Sequence, residues 1–344
     1  MSTKQKIAEL MEDQSNKALL QLGFVYLALF CIWGGLAFGA QHGLVLLIPC
    51  LFLMGIVQYY VVISGHEAVH KTLCSSLKLN EFFGVLGQSL VGVSFTAYRQ
   101  QHLDHHKALH NDHDPDAHIY MGVLSAPPGW KRFVFLTLGT FIEIAIKIRQ
   151  KGSGGYGSER KLSKKIQRNM KRDSLLVIFA QLCLIAVSSL VLSSWVELYW
   201  PSNFLETPNI SNVQGWFSLL CSWGFSYALL WITPLFGITV FLNRCRIVIE
   251  HGLALKIAEQ LVDNTTENPQ KKLRIPTVDI VPSPIERLLF APFLFNYHCS
   301  HHLFMGVPHY HLPALHESLK DNQYPGHYTL KGGYLKALWT VIFV

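Results

Sequence analysis

The chain has 344 residues and a net charge of +7, with half of its residues apolar and only 15% charged, against about 25% charged in typical soluble proteins. That balance excludes a string of soluble domains, which the length alone would permit. Nucleic acid is excluded as a partner, because the basic residues flank apolar blocks rather than forming a module of their own.

The start, Met1–Lys17, is polar and mixed in charge. Four blocks follow that lack Asp, Glu, Lys and Arg: 18–40, 44–64, 175–196 and 216–242. Each is long enough for a membrane span of about 20 residues. The first is too long for a removable signal peptide and lacks a cleavage site of small residues, so it reads as an anchor. Pro49 and Pro234 lie inside two of the spans and are expected to kink them.

Charge placement tests this reading independently. Gln41–Gly43 and 197–215 contain no Lys or Arg, so all 29 basic residues fall at the N-terminus, in 65–174 or after 242. The positive-inside rule places those three regions in the cytoplasm, and an even number of spans requires that they share a side. Of the 17 histidines, 16 fall there, His42 being the exception. The net positive charge then reads as attraction to anionic headgroups. The predicted architecture is an all-α integral membrane protein: a single domain, 1–344, with four transmembrane helices and a cytoplasmic helical cap, 65–174 and 243–344.

Three shorter apolar stretches, Phe82–Phe95, Phe133–Ile148 and Tyr334–Val344, are expected as helices in the interface plane. Between Lys147 and Arg172 the sequence predicts a basic, Gly-rich linker against headgroups. The seven cysteines are scattered without a CxxC pair, which supports neither a disulfide framework nor a cysteine zinc site. Asn209-Ile210-Ser211 is a glycosylation sequon on the predicted far side.

Chemistry concentrates in three histidine clusters. His66 and His70 stand at i and i+4; His102, His105 and His106 at i, i+3 and i+4; and His298, His301 and His302 repeat the second spacing. Each spacing puts imidazoles on one helical face. A closed zinc site needs four ligands and a catalytic one three, so these eight residues fit two ions. Imidazole suits iron, copper, nickel and zinc. Neutral ligands call for carboxylates behind them. Glu67, Asp104, Asp112, Asp114, Asp116 and Glu250 are the candidates, and Asn243 and Asn296 are candidates to hold a metal-bound water.

The three boxes, with Gly65-His66-Glu67 at the first and His302-Leu303-Phe304 then Val307-Pro308 after the third, resemble the membrane fatty acid desaturase superfamily. The resemblance runs from the second span to about His316. It implies a non-haem di-iron centre, molecular oxygen as co-substrate, and an external reductant. It also implies one ligand between the last span and the third box, where His251 is the only histidine; His110 competes for that role. His113 and His118 are expected to be non-ligands. His309, His311 and His316 are expected at the cytoplasmic surface or an acceptor-binding face, and His42 and His327 at the surface. The reaction implied is attack on an unactivated C–H bond of a fatty acyl lipid or free fatty acid, most simply desaturation. Hydroxylation, carotenoid oxygenation and oxidative decarboxylation to a terminal alkene are alternatives. The short N-terminus and absent cysteine cluster leave reduction to a separate ferredoxin-like or cytochrome-type donor. A His-rich metal transporter would need ionisable residues within the spans, which contain none. A zinc-protease reading of His66-Glu67-x-x-His70 leaves six histidines of the boxes unexplained.

Overall fold

A computed structural model describes residues 3–12, 15–39, 44–109, 113–149, 162–199, 213–263 and 275–344. Four long apolar helical runs are present among them, long enough to cross a membrane. After α1 (Thr3–Glu12) come α2 (Lys17–Gly39) and α3 (Leu44–His70). The short helices α4 (Leu77–Leu90), α5 (Phe95–Ala108), α6 (Ala117–Leu124) and α7 (Trp130–Arg149) lead to α8 (Lys164–Tyr199). The fourth long run begins as α9 (Val213–Tyr227), passes through α10 (Phe241–Ile247) and ends as α11 (Leu253–Asp263).

The long helices expose Phe24, Phe30, Phe38, Ile48, Phe179, Leu190, Phe217 and Phe225. Their backbone groups are satisfied within the helices, so apolar side chains can face lipid. The protein is an all-α membrane protein, as the charge-free blocks predict. Three spans run further than those blocks, α3 continuing to His70. The α8 helix begins at Lys164, so the second half of the expected basic linker is helical; residues 150–161 lie outside the described residues. The fourth run covers Gly215–Ala258, 44 residues, or about 66 Å of helix. A hydrocarbon core of about 30 Å holds less than half of that, and the excess carries the region around His251 beyond the span.

That fourth run is not uniformly α-helical. It contains π-helical turns at Ala228–Ile232, Leu235–Val240 and Val248–Gly252. Pro234 stands between the first two; lacking an N–H, it cannot close a normal helical hydrogen bond. The third turn contains Glu250 and His251, and such turns re-aim side chains within a helix.

The apolar stretch Phe82–Phe95 is not one helix. It breaks after Leu90, Gly92 takes a φ of 79°, and Ser94 caps α5 through its Oγ, which accepts from Ala97 N at 3.3 Å. A left-handed turn favours glycine, and a serine cap restarts the helix. Asp173 of α8 completes this start: its carboxylate accepts from Thr96 N at 2.7 Å and from Ser94 Oγ at 3.3 Å. A buried carboxylate on a membrane helix thereby fixes the helix that carries the second box.

The remaining elements are β1 (Asp279–Val281), α12 (Pro284–Phe290), α13 (His298–Leu303), α14 (Leu312–Asp321), β2 (Thr329–Lys331) and α15 (Gly333–Phe343). The two strands pair in parallel, Asp279 opposite Thr329. A core that includes Tyr59, Ile63, Val123, Val248, Ile280, Phe290 and Tyr334 joins α3 and the fourth run to these C-terminal elements.

Candidate metal centre

The first box lies on the last turns of α3, which continues from the membrane through His66 to His70. The second lies on α5 and the third on α13. Helix geometry then divides each box. His66, His70, His102, His106 and His301 form one group whose ring nitrogens could hold a metal ion, and His105, His251 and His302 form another. His298 joins the second: its Nε2 is 3.2 Å from His251 Nε2 and 3.0 Å from His302 Nε2. In the first group His102 Nε2 is 2.9 Å from His70 Nε2 and 3.0 Å from His106 Nε2.

Hydrogen bonding alone does not account for this convergence. A neutral imidazole has one donor and one acceptor nitrogen, and the Nε2 atoms of His66 and His301 are buried without a hydrogen-bond partner. Nitrogens aimed inward at each other suit a shared cation. The neutral form is favoured at several of these rings. Burial, and then repulsion from neighbouring imidazoles, pushes His102, His301 and His302 well below the ordinary imidazole range. For His298 the Arg246 guanidinium adds to burial. Neutral rings keep a lone pair free for a metal.

Carboxylates stand behind the rings. His105 Nδ1 donates to Asp114 Oδ1 at 2.7 Å, which leaves its Nε2 lone pair available to a metal. Asp114 also accepts from Tyr120 Oη at 2.7 Å. Burial alone would raise the Asp114 pKa, but the His105 and Tyr120 hydrogen bonds lower it. Of the carboxylates predicted here, Asp116 is 3.8 Å from His105 Nδ1, and Asp104 lies 3.9 Å from Lys107 Nζ on the helix surface. The nearer partner of the second box is thus Asp114. Glu67 accepts from His66 Nδ1 at 3.3 Å and from Thr72 Oγ1 at 3.0 Å. Glu250 is buried, accepts from Arg246 Nη1 and Tyr334 Oη, each at 2.8 Å, and lies 3.8 Å from His298 Nε2. Arg246 in turn stacks on Phe295, whose ring packs on His66 and His298.

The later histidines depart from expectation. His309 is fully buried rather than at the surface: Nε2 is 2.7 Å from Gln21 Oε1 and Nδ1 is 3.4 Å from Glu67 Oε2. His316 is buried as well, and both it and His327 pair with Asp279. His113 and His118 are exposed and belong to neither group. Asn243 accepts from Arg246 Nη2 at 3.2 Å, while Asn296 donates to Ile280 O at 3.0 Å and keeps a buried, unpartnered Oδ1. His42, His110, Asp112 and the sequon lie outside the described residues.

Spacing could not have disclosed Asp173, which is remote in sequence from the box it supports and reads as an ordinary charge at a helix end. His309 and Gln21 pair across 288 positions, and no local pattern signals that.

Long apolar helices that could cross a membrane thus meet buried histidine groups, built from the three boxes and His251, that could hold metal ions. The model of the family Fatty acid desaturase matches residues 42–332. The chain belongs to that family, whose members are oxidoreductases acting on fatty acyl chains. A search of curated proteins gives no match.

Proposed function

We propose that the chain is a di-iron desaturase that introduces a double bond into a fatty acyl chain. His66, His70, His102, His106 and His301 would hold one iron, and His105, His251, His298 and His302 the other. The observation that carries this reading is the meeting of nine imidazoles, from four separate helical segments, in two adjoining groups. Iron held there supplies the activation of molecular oxygen needed to attack an unactivated C–H bond.

The chain's own share is positioning and exclusion of water. Asp114 and Glu67 fix ring orientation at His105 and His66. Burial of the rings keeps water from the reacting carbon. An open apolar cleft of about 630 Å³ lies where Phe24, Val25, Leu53, Ile56, Tyr60 and Phe293 line the space between α2, α3 and α12. That is within the usual size of a ligand site. Its wall residue Phe293 packs edge-on against His309, which reaches Glu67 and so His66. An acyl chain entering from the bilayer would lie in this cleft with its reacting carbon toward the centre.

Residues 1–344 work as one unit in this reading, with both termini and all three boxes on the positively charged, cytoplasmic side. Electrons come from a separate ferredoxin-like or cytochrome-type protein docking there. The test is mass-spectrometric profiling of lipids and headspace hydrocarbons from a host expressing the chain together with a donor system, with His106→Ala as control. A new internal double bond absent from the control is the expected result. A hydroxylated chain, an oxidised carotenoid or a one-carbon-shorter terminal alkene would retain the centre and overturn the assigned outcome.

A further inference from the structure

Away from the histidine boxes, the C-terminal region builds a second kind of polar cluster. Asp279 opens β1, and its N–H donates to Tyr328 O at 2.9 Å, beside its strand partner Thr329. That pairing brings His327, just before β2, against the Asp279 side chain. The α14 helix brings His316 to the same point. His316 Nδ1 and His327 Nε2 lie 2.7 and 2.9 Å from Asp279 Oδ2. Ser300 Oγ is 2.5 Å from the same oxygen, and Ser300 N donates to Oδ1 at 3.0 Å.

Three donors thus crowd one carboxylate oxygen. An ionised carboxylate has about four lone-pair sites over two oxygens, so Oδ2 carries more partners than its lone pairs serve well while Oδ1 has one. Two imidazole nitrogens and a carboxylate oxygen, all within 4.8 Å of one another, show the same inward convergence as the boxes. Asp279 is fully buried and the His316 and His327 side chains nearly so. Carboxylate and imidazole are a donor set that zinc takes readily, and the Ser300 hydroxyl or a water would complete a tetrahedron.

We propose that Asp279, His316 and His327 form a third metal site, structural and zinc-binding, distinct from the paired iron centre. The surrounding elements explain its use. The only sheet among the described residues has two strands of three residues, too short to be stable alone. The α13 helix has six residues. A zinc ion would tie β1, α14 and the approach to β2 together and, through the Asp279–Ser300 contacts, brace the helix that carries the third box. Metal binding to such a module contributes directly to its folding.

The test is metal quantification by inductively coupled plasma mass spectrometry on the full-length protein, purified without a histidine tag, for wild type, His327→Gln, His316→Gln and His106→Ala. One equivalent of zinc beyond the metal in the boxes is expected in wild type and in His106→Ala. It should be absent in His327→Gln and His316→Gln, with iron in the boxes retained. His316 is buried and its variant could misfold. His327 lies in the connection before β2 rather than on a helix, so H327Q disturbs less of the packing and keeps the test decisive. Equal zinc in wild type and H327Q would overturn the proposal, as would loss of an equivalent of iron instead. Because iron and zinc are counted separately, failure of the paired iron centre would show as missing iron, independently of the zinc result.

Discussion

The two groups of box histidines are built from the same helices in opposite senses. On α5, His102 and His106, at i and i+4, point to the first group, and His105, at i+3, to the second. On α13 the assignment reverses: His298 and His302 go to the second group and His301 to the first. Each bridging helix thus clamps one group with a pair and reaches the other with a single ring, since within one helical face positions i+3 and i+4 stand about 100° apart around the axis. The groups differ only in what is added. The first gains the pair His66 and His70 from α3; the second gains His251 alone, from a π-helical turn.

This comparison can be broken most sharply at a bridging helix. His301→Ala and His298→Ala each remove a ligand from the helix that both groups share, and each should abolish product formation, measured as new double bonds in the lipid profile. Next in size is Asp114→Asn. Loss of a carboxylate behind a metal-ligating histidine costs about 10–100-fold in metal affinity or activity, and a chelator competition assay should show iron leaving at lower chelator concentration. The sign with pH follows from the lowered Asp114 pKa. Its contribution to stability is complete above the ordinary carboxylate range and is lost only as pH falls below it. Wild type and D114N should therefore differ by a constant amount across neutral pH in thermal unfolding and converge only in acid. The smallest effect is expected from Asp173→Ala, which removes the carboxylate accepting from Thr96 N and Ser94 Oγ. Loss of a helix-capping acceptor costs about 0.5–2 kcal/mol, so the variant should melt a few degrees earlier with both irons still bound.

The sequence discloses which histidines gather better than what holds them. The spans are legible because a lipid-facing helix must exclude charge, and the boxes because helical spacing puts their rings on one face. His66 and His70 continue the second span, as their position predicts. Where the structure differs, the cause is side-chain pairing that spacing does not rank. The sequence offers several carboxylates near the second box, and folding brings Asp114 rather than Asp104 or Asp116 closest to His105 Nδ1. His309, His316 and His327 read as surface residues because polar residues usually are, yet Gln21, Glu67 and Asp279 partner them far along the chain. The extension of the fourth run past residue 242 is hidden for a related reason. Arg246 and Glu250 look like the end of an apolar block, but they pair with each other at 2.8 Å and stay buried.

The most direct test of a paired centre with unequal ligand sets is the iron content of the full-length protein after anaerobic loading with ferrous iron, compared between wild type and His251→Ala. Two irons per chain are expected in wild type and one in His251→Ala, since the first group keeps all five of its imidazoles. A single iron in wild type, or two retained in His251→Ala, would contradict such a centre.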